Sequence, residues 1–544
     1  MATVKISKKL IAQCVKLTPD LAERISLMGI PVESENAEEI EIEVLPNRPD
    51  VLSIQGFLRV LKAYSGKEPG LKKYKVNAPE KNYKVKVDSS LKDIRPYTCC
   101  AIVKNLKFDD SKIKEIIDLQ EKLHTTLGRN RKKLAIGIYP LEKITLPIRF
   151  EARKPQDIKF RPLEMDRDLT GLEILQKHPA GRTYSDLMKN LDRYPVFVDA
   201  MGKILSMPPI INSHETGKIT PETREVFIEC SGSNLESLKK TLNIIVTTLA
   251  DMGGKIFSME VDYGKKEIMP DLSPDKMKLS IDNVNALLGL KLKEGDLQKL
   301  LPKVGYDYSK GKVSIPAWRT DILHEVDIIE DVAIAYGYDK FEYTIPKVAT
   351  IAEESPMTKI QSKISQALAG LGLLEISTYH LIKEEECVKA KLKDEQKIEL
   401  ENSKTEYKLL RPNLTLPALR ILSENKDNEY PHKIFEIGTV FSLDRNQNSE
   451  TGIREMESLV IACSPSNFTE LKQILDYLTR AFALNYELRE VKKEGFIEGR
   501  TGSIFTDKRE CGFIGEAHPD MLKQWGIKMP VCMIEISIGE MFKA

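Results

Sequence analysis

Residues 315–340 read IPAWRTDILHEVDIIEDVAIAYGYDK, and the spacing of the acids in this stretch sets the first structural question. With Thr320 or Asp321 as N-cap, a helix is predicted to run onward from there. At about 100° per residue, Asp327, Glu330 and Asp331 fall within roughly 100° of one another, with Asp321 at the N-terminal end. Ile322, Val326, Ile329 and Ala333 occupy a separate arc and are expected to face a core, while Ile334 falls among the acids. Carboxylates sharing one face repel each other unless a cation neutralises them. A hard divalent ion with oxygen preference, Mg²⁺ in the cell, suits such a set; a solvated acidic face is the competing reading.

Working outward, the acidic helix closes a small module at 270–346 in the order strand, helix, helix, strand, helix. Its helix pair, Ile281–Leu288 and Glu294–Leu301, is separated by Gly289-Leu-Lys-Leu. A Pro- and Lys-rich segment, GKKEIMPDLSPDK near 265–275, is expected to be a linker in front of it. Upstream, 90–265 mixes helices and strands. Helices are predicted over Ile113–Gly128 and, with Asn234 as cap and Gly253-Gly254 as stop, over Leu235–Gly253; Ala135–Tyr139 reads as a buried strand. The N-terminal 1–85 begins with a helix capped by Ser7 and a second over Leu21–Met28. It continues with the alternating strand Glu39–Val44 and the stiff turn Pro46-Asn-Arg-Pro-Asp50. A boundary is expected in the lysine-rich stretch Lys67–Lys86. Downstream, 353–544 opens with a helix at Met357–Leu371 and continues as a series of strands. The fold class expected is thus α+β, multidomain.

Composition narrows the function classes. Over 544 residues, 82 Lys+Arg stand against 81 Asp+Glu, so the net charge is +1 and a uniformly basic nucleic-acid coat is excluded, though local patches are not. The longest apolar runs, such as Leu459–Cys463, are far below the ~18 residues of a membrane helix. Charges run through the first sixteen residues, which argues against a secretory signal. Eight cysteines lie dispersed without a Cys-x-x-Cys pair, so reduced, buried thiols in the cytoplasm are expected. There is no phosphate loop of the G-x-x-x-x-G-K-[ST] kind, no G-x-G-x-x-G after a strand and no G-x-S-x-G elbow. Basic clusters stand at Arg129-Asn-Arg131-Lys132-Lys133 and Lys72-Lys73-Tyr74-Lys75; either could hold a phosphate backbone or be a solvated turn.

Taken in order, seven segments resemble one family: PNRPDVLS (46–53), KLHTTLGRNRKKLAIGIYPLEKI (122–144), PLEMDRDLTGLEILQKHPAGRTYSDLM (162–188), MPPIINSHETGKIT (207–220), the 315–340 stretch, HKIFEIGTVF (432–441) and CGFIGEAHP (511–519). Together they are similar to the beta subunit of phenylalanine–tRNA ligase in its archaeal and eukaryotic form. The resemblance implies a subunit that, with an alpha subunit, attaches phenylalanine to tRNA(Phe) using ATP, usually as two alpha and two beta chains. It implies a degenerate class II synthetase domain over 353–544. The strands there, Lys433–Phe441 and Cys511–Glu516, lack the arginines that hold the ATP phosphates, and Arg411 is not followed by Glu. Apolar faces of this domain would then pack on the alpha subunit. It further implies a winged-helix-like module at 270–346, with Asp321, Asp327, Glu330 and Asp331 as ligands of a Mg²⁺ shared with the alpha subunit. Lastly it implies an editing domain at 90–265 that hydrolyses mischarged tyrosyl-tRNA, with Leu205, Ser213, Glu229 and Ser231 at the pocket. Family members often carry Asp and Thr where Glu229 and Ser231 stand. A stand-alone aminoacyl-tRNA deacylase and a non-catalytic nucleic-acid-binding scaffold are the alternatives.

Overall fold

The acid/β-branched alternation of Glu39–Val44 forms the central strand of a three-stranded antiparallel sheet, between Ala2–Ser7 and Val32–Glu35. Ile40, Ile42 and Val44 are buried and the glutamates lie on the wetter face. As expected, Ser7 caps the first helix, Lys8–Cys14. Helix Ile54–Tyr64 lies so close to the Pro46–Asp50 turn that a Cβ on Gly56 would stand 2.0 Å from the Asp50 carbonyl oxygen. The computed structural model describes residues 2–401, 403–444 and 451–542. It divides into two compact units, one ending at Ile345 and the other beginning at Pro346.

The first unit is organised by a larger mixed sheet. Along it the strands run Ile211–Asn212, Ile204–Met207, Tyr194–Val198, Ile148–Arg153, Lys84–Val87, Lys255–Asp262, Tyr97–Lys104, Val226–Gly232 and Leu134–Pro140. Two segments expected as linkers contribute to it. Lys266–Met269 turns back at Gly264 (φ +87°) and pairs antiparallel with Lys255–Asp262. Within Lys67–Lys86, Val76–Asn77 and Lys84–Val87 both pair parallel with that same strand. Backbone hydrogen bonding between strands needs no apolar pattern, so lysine-rich composition concealed these strands. Helix Asp110–Thr125 starts three residues before Ile113 because the Asp109 carboxylate accepts the Lys112 N–H at 2.9 Å. Helix Leu235–Asp251 is capped by Asn234, as its sequence indicates.

In the small module, strands Asp275–Lys278, Lys312–Ile315 and Asp307–Ser309 pair antiparallel in that order. Helices Ile281–Leu288, Glu294–Leu300 and Glu325–Tyr336 pack over them around Val284, Leu297, Leu301, Val313, Ile328 and Val332. The acidic helix therefore starts at Glu325, not at Thr320 or Asp321. His324 is its N-cap, accepting the Val326 N–H at 3.2 Å. Its buried arc also differs from the expected one: Val326 is 47% exposed, whereas Ile328 and Val332 are fully buried.

The second unit holds a seven-stranded sheet, antiparallel except where Leu374–Glu375 runs parallel to His432–Leu443. Period-two alternation divides its strand residues between two cores. Phe435, Leu459, Ile461 and Ile534 meet helices Pro356–Gly370 and Phe468–Ala481. Ile434, Val460, Ala462 and Met533 meet helices Thr415–Glu424 and Pro519–Trp525. All eight cysteines are buried and unpaired. Among the described residues, no helix is long and apolar enough to cross a membrane.

Candidate functional site

Strand Val226–Gly232 is buried along its whole length between Tyr97–Lys104 and Leu134–Pro140. A carboxylate at its middle is an anomaly that needs an explanation. Glu229 sits there, 1% exposed, opposite Gly137 in the neighbouring strand. Glycine makes the space, since a Cβ at 137 would lie 2.5 Å from Glu229 Oε1 and 2.1 Å from Tyr139 Oη. The Tyr139 hydroxyl donates to Ser206 Oγ at 2.8 Å and also approaches Glu229 Oε1 at 3.2 Å. Glu229 Oε2 is buried without a hydrogen-bond partner. Burial pushes this carboxyl up to about 8 against the opposing pull of Arg95, Tyr139 and Ser231, so at neutral pH it holds its proton.

Glu229 lines a cavity of about 110 Å³. The last turns of helix Asp110–Thr125 contribute Gln120, Glu121 and His124 to its wall; the next strand adds Ala135 and Ile136, and 208–212 supply Pro208 to Asn212. His124 Nε2 accepts the Ile136 N–H at 2.8 Å, which leaves the proton on Nδ1, 3.2 Å from Glu121 Oε1. Burial lowers the His124 pKa and so favours the neutral ring. For Glu121, burial acts upward, but the His124 hydrogen bond and the Arg131 guanidinium at 2.8 Å outweigh it and hold the carboxyl at about 2. Arg131 also donates to the carbonyls of Pro209 (3.2 Å) and Ile210 (2.9 Å) and lies over the Tyr184 ring. Asn212 turns its Oδ1 toward Tyr139 Oη at 3.5 Å, and its amide nitrogen has no partner among the described residues.

Of the four pocket positions expected from sequence, Glu229 alone lines this cavity. Leu205, Ser213 and Ser231 are buried around it. Ser213 N–H donates to the Leu205 carbonyl at 2.7 Å. Ser231, two residues beyond Glu229 on the same face of its strand, is held by Arg95, which donates to Ser231 Oγ at 3.1 Å and to its carbonyl at 2.6 Å. Gln120, Glu121, His124, Arg131 and Asn212 were not anticipated. His124 and Arg131 lie inside the 122–144 segment and Asn212 inside 207–220, so segments used to recognise kinship were also the signal for the site.

The acidic set at 321–331 is arranged otherwise than expected. Arg319 donates to both oxygens of Asp321 (2.8 and 2.7 Å) and to Asp331 Oδ2 at 2.8 Å. Tyr306 Oη completes the Asp331 contacts. Asp327 Oδ2 accepts the Leu323 and His324 N–H groups, both at 2.7 Å, at the start of the helix. Glu330 points to solvent. The expected common face is thus corrected: Asp331 is buried, and an arginine supplies the cation that offsets its repulsion with Asp321. Among the described residues, no group of three or more His, Cys, Asp or Glu side chains is placed to hold a metal ion. These four carboxylates, as arranged, do not fit a divalent ion held by this chain. The same Arg-x-Asp fork recurs at Arg48 and Asp50, with both contacts at 2.9 Å, and Thr320 Oγ1 reaches the Asn47 carbonyl at 3.5 Å.

In the second unit a cavity of about 740 Å³ opens beside Pro412, Asn413 and Thr415. Lysines 389, 391, 492 and 493 line it and, among the described residues, no arginine does. Arg411 is sealed beneath, 1% exposed, donating to Glu436 Oε1 at 2.7 Å, Thr378 Oγ1 at 2.9 Å and the Thr439 carbonyl at 2.8 Å. With Nε and Nη1 bonded inside the fold and the side chain buried, this guanidinium is not presented to the cavity.

Comparisons with known proteins agree with this architecture. Residues 342–538 match the model described as the phenylalanyl tRNA synthetase beta chain CLM domain, and residues 277–338 the tRNA synthetase B5 domain. The phenylalanine–tRNA ligase beta subunit of Thermococcus sibiricus is 39% identical over 505 residues, covering 91% of this chain and 90% of that one. The beta subunit of Pyrococcus horikoshii is 39% identical over 504 residues with the same coverage. An N-terminal fragment of the phenylalanyl-tRNA synthetase beta subunit from Pyrococcus horikoshii, solved by crystallography, superposes with a TM-score of 0.58 at 38% identity, covering 61% of this chain and 99% of that fragment. With such identity across nine-tenths of its length, the chain belongs to the phenylalanine–tRNA ligase beta-subunit family and is a subunit of an aminoacyl-tRNA ligase.

Proposed function

We propose that this beta subunit clears tyrosine from mischarged tRNA(Phe) in the cavity beside Glu229. An alpha subunit, assembled with it two by two in the cytoplasm, would carry out the ATP- and Mg²⁺-dependent charging. The observation that carries the editing reading is the protonated Glu229 carboxyl above Gly137, whose Oε2 has no hydrogen-bond partner among the described residues. A site shaped for phenylalanine cannot strongly reject an isostere that merely adds a hydroxyl, so accuracy needs a second site that reads the hydroxyl directly. Tyrosine bound here would hydrogen-bond the free Glu229 oxygen. Phenylalanine would leave that buried oxygen unpaired, and the desolvation cost would exclude it.

Among the described residues the cavity lining contains no Ser, Thr or Cys, so no hydroxyl or thiol is at hand to form an acyl intermediate and water attacks the ester directly. Its oxygen bonds to the carbonyl carbon, the bond to the ribose oxygen breaks, and that oxygen leaves with a proton. The amides of Gln120 and Asn212 are suited to orient the water, and the fixed charge of Arg131 to steady the developing oxyanion. Leu205, Ser213 and Ser231 back the pocket, Ser231 through its Arg95 clamp.

The domain reading that accompanies this takes 1–85 as an N-terminal mixed α/β domain, 90–265 as the editing domain, 270–346 as a winged-helix-like module and 353–544 as a class II synthetase-like platform for the alpha subunit. The sealed Arg411 and the arginine-free cavity support a platform that does not bind ATP. Among the described residues, the carboxylates at 321–331 do not by themselves make a Mg²⁺ site within this chain.

The test is hydrolysis of tyrosyl- and phenylalanyl-tRNA(Phe) by the alpha–beta complex carrying Glu229→Ala. The ratio of the two rates should fall toward one, with charging intact; an unchanged ratio would overturn the assignment.

A further inference from the structure

We propose that the basic turn Arg129–Lys133 grips backbone phosphates of the RNA strand whose end enters the cavity, an inference that rests on the editing reading above. The chain's connectivity puts the turn at the rim: it joins the helix wall holding Gln120, Glu121 and His124 to the strand wall holding Ala135 and Ile136. Three successive non-glycine residues there, Arg129, Asn130 and Arg131, have φ of +48°, +53° and +64°. Side-chain-bearing residues adopt that region at a cost, and such strain persists only where the surroundings enforce it. Here Arg131 N–H donates to the His124 carbonyl at 3.0 Å and Lys133 N–H to the Gly128 carbonyl at 2.9 Å, folding the turn against the helix end.

The turn divides its cations between two tasks. Arg131 is turned inward, its two Nη atoms engaged with Glu121 and the Pro209 and Ile210 carbonyls and its plane over the Tyr184 ring. Arg129, Lys132 and Lys133 are exposed, and among the described residues none forms an ion pair. Elsewhere on this unit, surface lysines such as Lys177 and Lys203 pair with Glu173 and Glu215. Three uncommitted cations within five residues, held on a rigid turn beside a cavity taken to receive an aminoacyl-adenosine, present charge where the phosphates before that nucleoside must pass. Phosphate contacts of this kind position the strand without reading its sequence.

The experiment uses the alpha–beta complex with Arg129→Gln, Lys132→Gln and Lys133→Gln combined. Two substrates are compared: tyrosyl-tRNA(Phe), and the tyrosyl ester of adenosine, which has no phosphate. For the tRNA, KM should rise at least roughly tenfold with kcat retained, and the log–log dependence of kcat/KM on salt should become shallower by about two to three. Hydrolysis of the adenosine ester should not change, and the charge-conserving Arg129→Lys, Lys132→Arg, Lys133→Arg variant should restore tRNA hydrolysis. An unchanged KM and salt slope would overturn the clamp; equal losses on both substrates would show that the turn only shapes the cavity. Should the unmodified complex hydrolyse neither substrate, the editing reading falls. The salt slope of tRNA binding, measured by fluorescence anisotropy on the complex and the triple variant, then decides the clamp alone.

Discussion

Glu229 shows how one side chain ties stability to function. Below about pH 4.3 the folded and unfolded chains both hold its proton. Between there and about 8, the fold keeps a proton that the unfolded chain has released, so stability falls as pH rises, by at most ~1.4 kcal/mol per unit, and levels off above. Glu229→Gln should flatten this slope and raise the denaturation midpoint more at pH 8 than at pH 5, as urea titrations at the two values will read. Gly137 is the complementary residue. Gly137→Ala places a methyl 2.1 Å from the Tyr139 hydroxyl, and overpacking of this kind costs roughly 1–3 kcal/mol. Thermal melting should show that loss, and hydrolysis of tyrosyl-tRNA should fall with it. From sequence, Glu229 was singled out because of where a family resemblance placed it. Its proton depends on burial between two neighbouring strands and its space on Gly137, which reaches it only across the sheet.

At the scale of elements, the acidic helix and the strand pair of the second unit make contrasting cases. Helix 325–336 was anticipated as a helix, yet its start and its inward face were not, because the acids were assumed to act as a group. In the structure Asp321, Asp327 and Asp331 each have local partners, while Glu330 is exposed. Asp327 holds two N–H groups at the helix start, so Asp327→Ala should cost about 1–2 kcal/mol, the value of a lost cap, and equally so with chelator or with Mg²⁺. A loss that appears only when Mg²⁺ is present would instead favour an ion shared with the alpha subunit. In the second unit Arg411 ties its own strand end to strand His432–Leu443 through Glu436. Arg411→Ala leaves that carboxylate buried without its cation, so a cost of about 3–5 kcal/mol is expected in denaturant titration. Lysine should rescue poorly, since the site uses separate Nε and Nη donors in a fixed plane.

For the whole molecule, two compact units with separate cores imply separate contributions, a pocket-bearing unit and a sheet platform. The chain purified without an alpha subunit should show no phenylalanine-dependent pyrophosphate exchange, and adding the alpha subunit should restore it. Exchange by the isolated chain would contradict the arginine-free cavity of the second unit. Read alone, the sequence sufficed for kinship, for the alternating strands and capped helices, and for the missing phosphate-binding arginines, because these depend on residue type and local periodicity. It took the packed structure to show that burial keeps Glu229 protonated, that His124, Arg131 and Asn212 line one cavity with it, and that Arg319 bridges Asp321 and Asp331. Burial and long-range pairing set those properties, and both arise only once strands and helices distant in the chain are packed together.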